Sequence, residues 1–122
     1  MCWRSACRMA DGSVLVRAEL SVAATIAVRR PERIAELEPF HIWTIESVRN
    51  RIDFRPRHEL TAIVVSARAL VVPVTVPLLP EYAGCRSWVD LVEVTGLGTV
   101  AGPVHDDGYL RDVAEQVRAA VG

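Results

Sequence analysis

From Ser13 the chain alternates. Val14, Val16, Ala18, Leu20, Val22, Ala24, Ile26 and Val28 are apolar, and Ser13, Arg17, Glu19, Ser21 and Thr25 stand between them. A period of two puts the first set on one face of a strand, so the pattern predicts a strand over 13–28 with that face buried. The span is long against a typical strand of about 5–6 residues, and a bend or bulge near Ala23–Ala24 is expected. Arg29-Arg30-Pro31 ends it. Pro31 fits the first turn of a helix, Ile34 and Leu37 sit on one side of it, and the short helix is expected to stop before Pro39. A second helix is expected to begin after Thr44, whose hydroxyl can accept from a free backbone N–H of the first turn. Ile45, Val48 and Ile52 then share a face, and Pro56 closes the segment.

The next apolar run differs in kind. Over Leu60–Val72 both alternating sets are apolar (Leu60, Ala62 and Val64; Ile63, Val65 and Ala67), which predicts a central strand paired with the first. Val74–Leu78 stays extended, but Pro73 and Pro77 have no N–H for a ladder, so this piece is expected at an edge. Residues 80–86 form a loop. Ser87–Val94 suits either a helix capped by Ser87 or a strand. Gly96, Gly98 and Gly102 mark a turn-rich stretch. A last helix is predicted from about Asp107, with Leu110, Val113, Val117 and Val121 as its stripe and Asp106 and Asp107 at its cap. The reading is an α+β fold: a small sheet built on two long strands, two short helices inserted between them, and a C-terminal helix. Residues 1–12 are expected to be an irregular N-terminal segment and 13–122 a single domain. So few strands need helical cover or another strand, so part of the long first strand is expected to lie uncovered, or the chain to form a homo-oligomer.

Composition narrows the function classes. The chain has 122 residues, 51% hydrophobic and 24% charged, which suits one globular domain and excludes a disordered chain. Its net charge of −1 argues against wholesale binding to a polyanion. All 14 basic side chains are Arg, which points to the codon bias of a GC-rich bacterial genome. Residues 1–68 hold eleven Arg and eight acids, and residues 69–122 hold three Arg and seven acids, so the charge divides as +3 and −4. Cys2, Cys7 and Cys85 are too few and too scattered for a disulfide framework or a zinc site. Reduced thiols in the cytoplasm are the expectation. Leu60–Leu79 is apolar enough to raise the question of a membrane span, but Arg68, Pro73 and Pro77 fall inside it and no membrane association is expected.

Several residues are candidates for chemistry. His41-Ile42-Trp43-Thr44 is followed by Arg51, and Tyr82-Ala83-Gly84-Cys85-Arg86-Ser87-Trp88-Val89 follows the second strand. This series resembles an uncharacterised prokaryotic family, the domain of unknown function 1802, best over residues 39–93. The resemblance implies no mechanism. Members of that family typically carry a further N-terminal segment before the first strand, which implies that this chain is a C-terminal portion and that a site shared with that segment would be incomplete.

Two function classes follow from these residues. In the first the chain is a non-catalytic binding or interaction module linked to nucleic acid. His41, Trp43, Arg51, Tyr82, Arg86 and Trp88 are then the binding candidates, and the Arg49, Arg51, Arg55, Arg57 and His58 run beside Trp43 and Phe54 can hold phosphates while aromatics stack on bases. The strand order is also similar to small β-barrel RNA-binding domains of the PUA-like type. In the second class the chain is a thiol-dependent or hydrolytic enzyme. Arg86 favours the thiolate of Cys85, and His41 is the base. The string around Cys85 is similar to papain-like enzymes, but there the histidine lies far downstream, whereas here only His105 follows. Each candidate also has a packing role: Cys85 as a loop thiol beside Trp88, Trp43 as a staple under the second helix, and Arg51 as the partner of Glu46 or Asp90. Asp90 and Glu93 lack the further ligands a metal needs, and the three glycines lack the spacing of a phosphate loop. No metal or cofactor is expected. The two groups are expected to converge at one end of the sheet, with His41 and Trp43 in contact with Tyr82, Cys85 and Trp88 and Arg51 close by.

Overall fold

The computed structural model describes residues 11–54, 59–82, 90–91 and 98–122. Strand β1 spans Ser13–Ala27 and a 3₁₀ helix spans Pro31–Phe40. Helix α1 is Ile45–Phe54 and strand β2 is Thr61–Pro77. A 3₁₀ turn at Pro80–Tyr82 follows, then strand β3 (Val100–Pro103) and helix α2 (Asp107–Val121). The strands form one sheet in the order β1-β2-β3. The chain is therefore α+β, with short helices between two long strands and a C-terminal helix, and β2 is the central strand.

Four details depart from the sequence pattern. The 3₁₀ helix runs through Pro39 instead of stopping before it. Ile34, Leu37 and Phe40 recur every three residues, which is the period of a 3₁₀ helix and not of an α-helix. Pro73 and Pro77 do not split β2, which stays one strand of 17 residues. The alternation in β1 does not mark a uniformly buried face: Ile26 is 5% exposed, whereas Leu20 and Val22 are 51% and 60% exposed. In β2, likewise, Val64, Leu70 and Val76 are buried but Ile63, Val71 and Val72 are exposed. Apolar periodicity assigns a face, and only covering elements bury it. The ambiguous stretch 87–94 lies outside the described residues except for Asp90 and Leu91.

The described residues fall into two compact units. One gathers Leu20–Ser66 with Val104–Gly122 and holds the main core. Leu110, Val113, Ala114, Val117, Ala120 and Val121 form a buried stripe along α2 at the helical period. It clusters with Ile26, Val28, Ile34, Leu37, Val48 and Val64. Asp106 starts α2 by accepting from the Tyr109 N–H at 2.8 Å. Arg30 finishes it. Its Nε donates to the Gly122 O at 3.1 Å, and its Nη2 donates to the Ala119 O at 2.7 Å and the Arg118 O at 3.3 Å. The backbone N–H groups of Arg29 and Arg30 both donate to the Val121 O, at 2.7 and 3.0 Å. The last carbonyls of a helix have no partner within it, and a cation there is also favoured by the helix dipole.

The other unit gathers the described residues of Met1–Glu19 with Ala67–Pro103. Here β2 and β3 pair antiparallel, with Arg68 opposite Pro103 and Leu70 opposite Val100, so β3 carries one extra residue between the two pairs. Gly98, at φ +81°, makes the left-handed turn before β3 that a side chain would strain. Leu70 and Val76 are its buried apolar residues among those described. Asp11 accepts the Ser13 N–H at 3.0 Å and the Ser13 hydroxyl at 2.6 Å, which fixes the start of β1 and holds the Asp11 carboxyl below its ordinary range. Among the described residues no helix is long and apolar enough to cross a membrane.

Two outcomes are expected. Arg30→Ala removes the guanidinium from three oxygens at the end of α2, of which the Arg118 O keeps the Gly122 N–H and the Ala119 O keeps Arg33, and should lower stability by about 1 kcal/mol, read from the urea midpoint at unchanged m. Arg30→Lys should recover only part, because one ammonium cannot span the three oxygens that the planar fork reaches. The second concerns Arg33, whose Nε and Nη2 hold both oxygens of Glu36 at 2.6 and 2.8 Å. These hydrogen bonds lower the Glu36 carboxyl from its ordinary 4.5. A lowered folded-state value gives stability that is present above 4.5 and is lost as pH falls through the lowered value. Both side chains are exposed, so the effect is small. Wild type should have a slightly higher urea midpoint than Glu36→Gln at neutral pH, and acid titration should erase the difference.

Candidate functional site

The site is built where the 3₁₀ helix hands over to α1. Thr44 caps α1: its Oγ1 accepts from the Ser47 N–H at 3.2 Å, and its carbonyl accepts from the Val48 N–H at 3.1 Å. Trp43 precedes the cap and Val48 lies one turn in. Val48 belongs to the core and Trp43 packs against it, the arrangement of a hydrophobic staple. Ile45 and Ile52 pack on the same core, as their spacing predicts. The staple holds the indole in place from below.

Arg51 sits two turns along α1. Its guanidinium carbon lies 4.9 Å from the centroid of the Trp43 ring and over it. This is cation–π geometry, which is strongest for Trp among the aromatic residues. The expectation that Arg51 pairs with Glu46 is not met. Residues three and four apart are neighbours on a helix, and those positions around Arg51 are Ser47, Val48, Phe54 and Arg55, none of them acidic. The ring is the partner that geometry offers. Among the described residues no carboxylate pairs with Arg51 and no hydrogen bond engages its N–H groups. Arg49, Arg51 and Phe54 are exposed, and Ile42 is 95% exposed beside Trp43.

His41 has a different task. Its Nδ1 accepts the Trp43 backbone N–H at 3.1 Å, which fixes the turn ahead of α1. A neutral imidazole that accepts at Nδ1 carries its proton on Nε2. That Nε2 is buried and has no hydrogen-bond partner among the described residues. A general base must offer an unprotonated nitrogen to the thiol, and His41 has committed its own to the backbone. The turn uses His41 as a structural acceptor, and Cys85, its proposed thiol partner, lies outside the described residues.

The remaining candidates lie in the other unit or outside the described residues. Tyr82 closes the 3₁₀ turn Pro80–Tyr82, in the other unit, with its N–H on the Leu79 O at 3.0 Å. Cys85, Arg86 and Trp88 lie outside the described residues, as do Cys2, Cys7, Arg55, Arg57 and His58. Among the described residues no group of His, Cys, Asp and Glu could hold a metal ion. Sequence reasoning missed a concavity of about 370 Å³ lined by Arg33, Glu36, Phe40, Gln116 and Ala119 among others, where the 3₁₀ helix meets α2. No motif signals it, because it arises from two elements far apart in the chain; Arg33 there holds Glu36 and reaches the Ala119 O at 3.4 Å. The stacked pair His105–Tyr109, with centroids 4.1 Å apart, stands at the start of α2 and is also unannounced by spacing motifs.

Comparison with known proteins gives one match. The model of the family described as "Domain of unknown function (DUF1802)" matches residues 4–116, which runs from ahead of β1 well into α2. No curated protein and no solved structure matches the chain.

The role of His41 has a direct check. Asparagine accepts the N–H two residues on through its side-chain oxygen, so His41→Asn should keep the turn and melt close to wild type. His41→Ala removes the acceptor and should cost about 1 kcal/mol in a thermal or urea melt. Equal losses in the two variants would show that the imidazole ring, not its Nδ1, holds the turn.

Proposed function

We infer that this chain, which belongs to the DUF1802 family, is a non-catalytic binding module whose α1 corner takes a single-stranded nucleic acid. The observation that carries this reading is Arg51 over Trp43. A cation–π contact engages the charge of the guanidinium and does not use up its N–H groups. Those groups then stand ready, in a fixed place, for the two oxygens of a phosphate. A fixed donor loses less conformational freedom on binding than a free Arg does.

The surroundings fit a single strand better than a duplex. The net charge of −1 gives no broad electrostatic footprint for a double helix. Single strands are held by local cations together with aromatic faces. Arg49 and Arg51 supply the cations, Trp43 holds Arg51 in place, and Phe54 on the same helix is an exposed aromatic residue. Arg55, Arg57 and His58 follow directly in the sequence and extend the basic run.

The test is fluorescence anisotropy with a labelled oligouridylate or oligothymidylate of about ten nucleotides, a length within the usual footprint of such sites. Saturable binding at low salt is expected, with a weaker response to the matching duplex. Arg51→Ala should weaken it roughly tenfold and flatten its salt dependence by about one phosphate contact. Arg51→Lys should fall between, since it keeps the charge and loses the fork. Trp43→Phe, which preserves the staple, should bind more weakly than wild type. Circular dichroism of each variant separates loss of binding from loss of fold. No saturable binding, or binding that Arg51→Ala leaves unchanged, would overturn the reading.

A further inference from the structure

The first strand offers a second, independent surface. β1 stands at the end of the order β1-β2-β3, so among the described residues its outer backbone edge has no neighbouring strand. Proteins usually blunt such an edge with a short strand, a proline or a bulge, because a bare row of N–H and C=O groups pairs readily with another strand. β1 is 15 residues long and contains neither Pro nor Gly. Its central apolar residues Leu20 and Val22 are 51% and 60% exposed.

The charges along β1 say what can pair there. The strand carries two, Arg17 and Glu19, both exposed and on either side of Ala18. Antiparallel pairing of β1 with a second β1 about a two-fold axis at Ala18 sets residue 17 opposite residue 19. Each Arg17 then faces a Glu19 of the other copy, twice by symmetry. The same register sets Val16 opposite Leu20 and Val14 opposite Val22, so the exposed apolar residues meet apolar residues. Directly opposed pairs of this kind are the unit of sheet stabilisation. Moving the axis by one residue either way breaks the pairing of Arg17 with Glu19.

We propose that β1 is a homodimerisation edge: two copies of this chain join antiparallel through β1, about a two-fold axis at Ala18, into one continuous sheet. Such an isologous contact closes on itself and leaves no further free β1 edge, so the assembly stops at two. The strand is self-complementary in charge and in apolar pattern, whereas a foreign strand would need the reverse order of both.

Sedimentation equilibrium of the full chain over a wide concentration range tests this. Wild type should be a dimer at the upper end. Arg17→Glu and Glu19→Arg each turn two attractive pairs into two repulsive ones, and each should weaken dimerisation about tenfold, the scale of several cross-strand pairs acting together. The double variant R17E/E19R restores the pairing with its signs reversed and should recover the wild-type dimer. Both side chains are exposed in the single chain, so the variants should keep the wild-type circular dichroism. A monomer at every concentration would overturn the proposal, whether the edge is bare or covered by the chain's own residues. A dimer that ignores the single reversals, or that the double variant fails to rescue, would overturn it as well.

Discussion

The fold of the main core depends on how the last turn of α2 is closed. That turn ends in carbonyls that no residue of the helix can satisfy, and Val121 beside them is fully buried, at 0% exposure. The bonds to these carbonyls are exposed or part-buried, so each contributes about 1 kcal/mol, and together they fix where the chain passes the end of the helix. Arg29 and Arg30, at the exit of β1, supply them with two backbone N–H groups and one guanidinium. The chain must leave β1 at the foot of α2 for this to happen. From there Pro31 launches the 3₁₀ helix along α2, and Ile34 and Leu37 are delivered into the core. The same path carries the chain through the His41 turn to the Thr44 cap, which sets Trp43 beneath Arg51. The candidate site is thus held in place by a chain of local constraints that begins at the far end of the sequence.

Much of this was legible in the pattern of residues. Period two announced β1, and a run apolar on both faces announced β2 and put it in the centre. The stripe from Leu110 to Val121 and the Asp106 cap announced α2 nearly to the residue. Thr44 announced the start of α1. Other features were hidden for physical reasons. Ile34 and Leu37 fit both an α and a 3₁₀ turn, and only Phe40, beyond Pro39, distinguishes the periods. β3 has four residues, among glycines, and is defined by its pairing with β2 rather than by any propensity of its own. The exposure of Leu20 and Val22 was anticipated only as a general shortage of cover, because alternation carries no information on what lies above a face.

The site was legible in its members and not in its wiring. His41, Trp43 and Arg51 stood out by residue type and spacing. The sequence suggested a carboxylate for Arg51 and a catalytic task for His41. Helical geometry decided the first, since no acid stands at a neighbouring position on α1. For His41 the backbone shows a structural task. The Trp43 N–H, ahead of the helix, needs an acceptor, and the imidazole Nδ1 is within 3.1 Å. A side chain that looks catalytic in a sequence can also hold a turn, because every backbone N–H needs an acceptor.

Hydrogen-bond accounting separates the arginines, the only basic side chains besides histidine in this chain. Arg30 spends its fork on the Gly122, Ala119 and Arg118 oxygens. Arg33 spends its fork on Glu36 and reaches the Ala119 O. Each of these two commits three of its N–H groups to protein oxygens and is held by them. Arg51 is engaged through its charge, over an indole, and its N–H donors are not taken up among the described residues. A codon bias that turns every lysine into arginine would scatter guanidinium groups without regard to function. What sets Arg51 apart is therefore not its identity. It is held in place by a contact that does not use its N–H groups, and a positioned donor set with no partner among the described residues is the feature that a ligand would complete.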